Sequence, residues 1–359
     1  MRKYRNRIIA GFAIGFVIYV ALLLFADAEG LTEDMIGQLQ AYPWLLIVPV
    51  ILQKFVSWFF RFLEWQYFLG VIGARDKISM FDSAVLFVAG FSMAVSPGKV
   101  AEMLKTVVLK AKTGVAIATS APVVIAERVV DGLAVIILAV IALLIAGDQI
   151  ELGPYRSLVL LSAGLLGVGL IVVQVRPLAH FALDLIGRLP LVSRVHGWLA
   201  NFYESSYEIF KLKHIIPTTG LGVIASFADS IGFVVILAGF GMEVTWLLFL
   251  QALVIICLAS AIGALSGVPN GAGITEISVS AMLLIIVAPY NPVVTPAVAA
   301  AAAVVEGFIH KWFRVLVGLL VAAVFRDRLF TPEIEATIAE VERARQQSRA
   351  ELNTEVSNA

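Results

Sequence analysis

The chain has 359 residues, 60% hydrophobic and 14% charged, with 26 basic and 26 acidic side chains and a mean hydropathy of +0.95. Such a composition predicts a polytopic helical membrane protein, and apolar runs that are continuous rather than alternating exclude a β-barrel. A single cysteine, Cys257, excludes a disulfide framework, and the four histidines show no metal-ligand spacing. No G-x-x-x-x-G-K-[ST] segment occurs, which excludes an ATPase motor of the chain's own; no cofactor and no nucleic-acid partner are expected.

The first element is an apolar run at 8–25 behind Arg2, Lys3, Arg5 and Arg7. Its flanks resemble a signal peptide, with Ala26-Asp27-Ala28 for cleavage, but the run is longer than an ordinary signal core and reads as an uncleaved helix near 8–26. Further spans of about 20 residues are predicted near 43–61, 115–146, 156–175, 216–240 and 296–325. Two apolar stretches between them, 79–110 and 246–288, are broken midway. One contains Ser96-Pro97-Gly98-Lys99-Val100-Ala101-Glu102, the other Ser266-Gly267-Val268-Pro269-Asn270-Gly271-Ala272-Gly273-Ile274-Thr275-Glu276. Pro removes a backbone donor and Gly frees φ, so each stretch reads as a re-entrant helical hairpin lining a polar interior. A broken pair in corresponding positions of two halves points to a transporter binding site.

The expected fold is therefore all-α: a membrane bundle of six spanning helices plus two re-entrant hairpins, arranged as an inverted repeat of halves 8–146 and 156–325. The 176–214 connection mixes Leu191, Val195, Trp198 and Phe202 with Arg188 and Arg194, as an interfacial helix would, although a structured cytoplasmic linker fits equally. The membrane domain extends over 1–330, and 331–359 reads as a charged cytoplasmic tail that begins as a helix at Pro332. Basic residues from Arg2 through Arg61, Arg75, Lys77, Lys110, Lys112, Arg176 and Lys211 to Arg328 fall on one side. Asp27, Glu29, Glu33, Asp34, Asp148, Glu151 and Glu243 fall on the other, with Arg156. That asymmetry predicts cytoplasmic termini and a multi-pass cell-membrane protein.

Ionisable residues recur at the centres of these spans: Lys54, Asp229, Glu127, Arg128, Asp131, Glu306, His310, Lys311 and Arg314, with Lys99, Glu102, Lys105 and Glu276 in the hairpins. A lipid-facing charge costs about 3 kcal/mol even on the lenient insertion scale, so these groups are expected to face one another or a polar cavity. Glu306, His310 and Arg314 stand at i, i+4 and i+8, which predicts one stripe. Helix starts after Pro97-Gly98 and after Gly271-x-Gly273 (behind Pro269) would aim free N–H groups inward, suited to a phosphate. Lys99, Glu102 and Lys105 share one arc of the first of these helices, while Glu276 makes the second site more acidic. A zwitterionic or amphiphilic headgroup would fit between the two. All of these except Lys54, Asp229 and Lys311 form the candidate substrate site; no catalytic set is found.

At Pro97-Gly98-Lys99-Val100-Ala101-Glu102 with Lys105, at Glu127-Arg128-Val129-Val130-Asp131 and at Pro269 through Glu276, the chain resembles the membrane region of lysylphosphatidylglycerol synthases and their free-standing, flippase-like relatives. Trp312 and Gly318 match that family's closing helix. The chain differs in having Lys99 and Lys105 where arginine is commoner, Ala101 where glycine is commoner, and no arginine near Glu306-Gly307. The resemblance implies movement of a membrane phospholipid, aminoacylated or not, or of a polyprenyl-phosphate-linked lipid. With about 30 residues of tail, an aminoacyl-transfer domain is not expected. The alternatives are a membrane enzyme or subunit acting on lipid-linked substrates, with Glu102 or Glu276 as base, and a small-solute or ion transporter. Homo-oligomerisation is left open.

Overall fold

The structure, a computed structural model, describes residues 31–95, 102–150, 174–187 and 206–329, together with isolated positions in 157–172, 203–204 and 331–336. The expected 8–26 helix, most of the 156–175 helix, the Pro97-Gly98-Lys99 tip, the 188–202 stretch and nearly all of the tail lie outside the described residues, as does the side chain of Glu102.

Among the described residues every regular element is helical. The elements are α1 (Leu31–Ala41), α2 (Ile47–Val71), α3 (Met80–Ala89) leading into a 3-10 turn (Gly90–Val95), α4 (Glu102–Thr113), α5 (Ile117–Ala146) and α6 (Arg176–Gly187). They continue as α7 (Leu212–Gly239), α8 (Trp246–Leu265), a short turn (Pro269–Gly271), α9 (Ile274–Met282), α10 (Pro296–Gly307), a π-helical segment (Phe308–Phe313) and α11 (Arg314–Val324). Hydroxyl caps start several of them: Ser79 accepts from Asp82 N–H at 3.0 Å, Thr245 from Leu248 at 3.1 Å and Thr295 from Val298 at 3.2 Å. Pro296 follows Thr295 at the first helical position, where its missing N–H costs nothing.

Among the described residues, five stretches are long and apolar enough to cross a membrane: Trp44–Val71, Ile117–Gln149, Leu212–Gly239, Trp246–Leu265 and Pro296–Val324. Leu45, Leu52, Phe59, Leu144, Leu265 and Leu320, each more than half exposed, point outward, as lipid-facing side chains do. The second span continues to Val71 instead of ending near 61, because Phe62, Trp65, Phe68 and Leu69 keep its apolar face going past Arg61 and Glu64. Arg61, counted with the cytoplasmic-side charges, consequently stands well inside a helix and not at its end.

The α2 helix lies along α7, while α5 packs on both α7 and α8, and α9 packs on α10. In the interrupted stretches α3 and α4, and α8 and α9, flank the two breaks, and the 3-10 segments Gly90–Val95 and Pro269–Gly271 meet. At 20 residues, about 30 Å, α8 is one of the five candidate spans among the described residues.

Close approaches are made through glycine. At Gly318 on α11 an added Cβ would lie 2.5 Å from Ser92 N and 3.0 Å from Val88 O, both backbone atoms with nowhere to go. Gly318→Ala is expected to destabilise by roughly 1–3 kcal/mol, as overpacking does, and a thermal-unfolding comparison in detergent checks it.

Asp82, at the start of α3, gathers Lys112 at 3.7 Å and Arg328 at 3.2 Å. Burial pushes its carboxyl up, but the Ser79 and Arg328 hydrogen bonds and the Lys112 charge outweigh it and hold the group below the usual carboxylate range. Because the folded-state value is depressed, the stabilisation is present above the unfolded value near 3.9 and is lost as pH falls through the folded value. Asp82→Asn is expected to cost no more than about 1 kcal/mol at pH 7. In thermal scans, that difference should shrink as the pH is taken below 4.

A buried ionic network as the candidate functional site

Lys54 is 2% exposed on α2 and Asp229 is 4% exposed on α7. Their Nζ and Oδ1 atoms are 2.9 Å apart, and Gln53 donates to the same oxygen at 3.4 Å. Lys54 Nζ also reaches His310 Nδ1 at 2.7 Å. Glu306 Oε1 lies 3.3 Å from the same Nδ1. Gly232 permits this arrangement, since a Cβ there would fall on Gln53 Oε1.

Two turns further along α2, Arg61 ion-pairs with Asp131 and reaches Asp229 Oδ2 at 3.9 Å. Arg128 pairs with Asp131 at 3.1 Å. On α4, Lys105 meets Glu127 at 3.3 Å. The Lys105 ammonium lies 4.1 Å from the Trp65 ring centroid and 5.4 Å from that of Phe87, and its stem crosses Gly90, where a Cβ would press on it. These residues enclose a cavity of about 50 Å³ lined by Arg61, Glu64, Phe87, Gly90, Phe91, Lys105, Glu127, Arg128, Asp131 and Arg314. That volume holds a few water molecules.

The second turn closes the other side. Asn270, Gly271 and Gly273 have φ of 56°, 60° and 81°, the left-handed region in which glycine is unstrained. This tight reversal turns the Gly271 carbonyl onto Lys311 Nζ at 3.0 Å, and the same ammonium holds both Glu276 oxygens at 3.0 and 2.9 Å. Glu276 in turn accepts from Gly273 N–H at 2.8 Å, completing the start of α9. Gly307 leaves the room, because a Cβ there would collide with the Glu276 carboxylate. Arg314 donates to Asn270 Oδ1 at 3.4 Å, and its guanidinium carbon lies 5.5 Å from the Phe91 ring centroid. It thereby joins the two turns.

Of the candidate residues, Lys105, Glu127, Arg128, Asp131 and Arg314 are brought together at one cavity. Glu306 and His310 belong to the Lys54–Asp229 cluster, and Gly271, Gly273 and Glu276 to the Lys311 cluster. Pro269 opens the second turn. Pro97, Gly98 and Lys99 lie outside the described residues, and for Glu102 only the helical backbone is described. The expected single stripe of Glu306, His310 and Arg314 is not kept. Residues 308–313 wind as a π-helix, with about one more residue per turn, so His310 faces Lys54, Lys311 faces Glu276 and Arg314 faces Asn270. Sequence reasoning missed Arg61 and Glu64 as cavity residues. The signal was there, since Lys54, Arg61 and Glu64 recur at seven and three residues along one helix face.

Long apolar helices wrapped around buried ion pairs define a multi-pass helical membrane protein with a polar interior. The lysylphosphatidylglycerol synthase TM region family matches residues 8–318, and the chain belongs to it. That membership makes it a membrane protein involved in lipid handling. None of the curated proteins with which it was compared matches it.

Proposed function

We propose that the protein is a lipid flippase or lipid transporter of the cell membrane, carrying an anionic phospholipid, aminoacylated or not, or a polyprenyl-phosphate-linked lipid through the central cavity. The observation that carries this reading is the wall between the two turns, where Arg61, Lys105, Arg128 and Arg314 stand against Glu64, Glu127 and Asp131. Four cations against three carboxylates leave the described lining net positive, in surroundings where water screens little. A phosphate gains more there than at an exposed surface, while its acyl chains stay in lipid. The present cavity is too small for a headgroup, so entry requires the Gly90–Val95 and Pro269–Gly271 turns to part. In this reading the two interrupted stretches are re-entrant hairpins of an inverted repeat, and both termini are cytoplasmic. The protein moves its lipid without chemically altering it.

The test is reconstitution with headgroup-labelled anionic lipid. Arg128→Gln and Lys105→Gln should each weaken headgroup binding by roughly 1.5–3 kcal/mol, the range for a hydrogen bond to a charged group, and slow translocation accordingly. Arg128→Lys should fall between, keeping the charge and losing the fork. Equal rates for all variants at equal folded protein would remove the reading and favour a small-solute transporter.

A further inference from the structure

Every described carboxylate in the central cavity has a cation in contact except one. Glu127 is held by Lys105, and Asp131 by Arg61 and Arg128. Glu64, on α2, is 2% exposed, lines the same cavity, and its Oε2 has no hydrogen-bond partner. Arg61, one turn away on the same helix, is committed to Asp131 and Asp229. Lys105 on α4 is committed to Glu127, and Arg128 on α5 to Asp131. From α11, Arg314 donates to Asn270. A buried acceptor left without a donor costs about 1–3 kcal/mol, and more when charged, so such a group in a native fold calls for an explanation.

We propose that Glu64 is a proton-binding site and that proton uptake there is coupled to entry of the anionic headgroup into the same cavity. The site takes a proton from cavity water: hydronium gives H⁺ to Glu64 Oε2, the carboxylate becomes a neutral acid, and water is left behind. Transfer to water on the opposite side reverses the step and restores the carboxylate. The protein's charges set the consequence. With Glu64 ionised, the described lining is four positive against three negative; with Glu64 neutral it is four against two. The cavity thus gains one unit of attraction for an anion each time it takes a proton, and proton and headgroup travel together. This supplies an energy source for directed lipid movement, and it rests on the transport reading above.

Two experiments separate the site from the coupling. On the purified wild type, dicyclohexylcarbodiimide, which attacks protonated carboxyls in apolar surroundings, should label Glu64, mapped by mass spectrometry, and labelling should fall as pH rises. The infrared carbonyl band of a protonated acid should titrate over the same range and be absent from Glu64→Gln. Failure of Glu64 to label at any pH, or a band unchanged in Glu64→Gln, overturns the site. In vesicles, one-to-one coupling makes a gradient of one pH unit worth about tenfold in the steady-state distribution of headgroup-labelled lipid. For Glu64→Gln, the ratio with and without the gradient should fall to about one, since the amide cannot take the proton; Glu64→Asp should keep part of it. A gradient effect undiminished in Glu64→Gln overturns the coupling. A wild type that moves no lipid removes the coupling together with the transport reading, while the labelling still decides whether Glu64 holds a proton. Should Glu64→Gln fail to fold, wild-type labelling and the Glu64→Asp gradient ratio decide both points.

Discussion

Lys311→Ala is expected to cost about 3–5 kcal/mol, the usual loss when one member of a buried ion pair is removed. Lys311 is 4% exposed, and its ammonium donates to the Gly271 carbonyl and both oxygens of Glu276. Without it, the Glu276 carboxylate keeps the Gly273 N–H but remains a buried charge with no cation in contact. A loss of that size is a large share of the 5–15 kcal/mol typical of a folded domain, so the variant should express poorly and unfold at much lower temperature. Glu276→Gln alone strands the Lys311 charge in the same way and should also destabilise. The double variant Lys311→Met with Glu276→Gln should recover most of the loss, because neither buried charge remains and the glutamine can still accept from Gly273. Thermal unfolding of the three variants checks this; a Lys311→Ala protein as stable as the wild type would show that the pair does not hold the turn.

A comparable loss, again about 3–5 kcal/mol, is expected for Asp229→Ala. Asp229 is the acceptor that joins α2 to α7, taking Lys54 at 2.9 Å, Gln53 at 3.4 Å and Arg61 at 3.9 Å. Its removal leaves the Lys54 ammonium with the His310 ring and no carboxylate in contact among the described residues, and frees Arg61 from one of its two carboxylates. The double variant Lys54→Met with Asp229→Leu should be markedly more stable than Asp229→Ala, since apolar packing commonly replaces a buried pair at little cost. If the double variant is no better, the damage comes from lost packing between α2 and α7 and not from the stranded charge.

Both of these pairs were partly legible in the sequence. Lys54 and Asp229 each stand at the centre of a long apolar run, where a charge is too costly to leave facing lipid, and the structure brings them together. Glu276 was marked by the Gly271-x-Gly273 turn that precedes it. Its partner Lys311 is a central charge too, but in a regular helix it falls off the stripe that carries Glu306, His310 and Arg314. The π-helical winding at Phe308–Phe313 moves Lys311 onto the turn, and nothing in six residues of apolar and basic side chains announces that extra residue per turn. Arg61 and Glu64 were hidden for a different reason. Two charges within four residues look like the end of a span, whereas the apolar face of α2 continues past them to Val71. The meeting of the two turns is a long-range packing result, reached through glycines such as Gly318 and Gly307 whose missing side chains matter only once the partner surface is known.

The central claim, that a lipid headgroup enters the ionic cavity while its chains stay outside, is tested most directly by photo-crosslinking. The reconstituted protein would be irradiated with an anionic phospholipid carrying a photoreactive group on the headgroup, and separately with one carrying it on an acyl chain. Adducts would be mapped by mass spectrometry. The account predicts headgroup adducts on Phe87 and Phe91, which line the cavity, competed away by excess unlabelled lipid and reduced in Arg128→Gln. It predicts acyl-chain adducts on outward residues such as Leu52, Phe59 and Leu320. Headgroup adducts confined to exposed positions, with none at Phe87 or Phe91 under any condition, would contradict it.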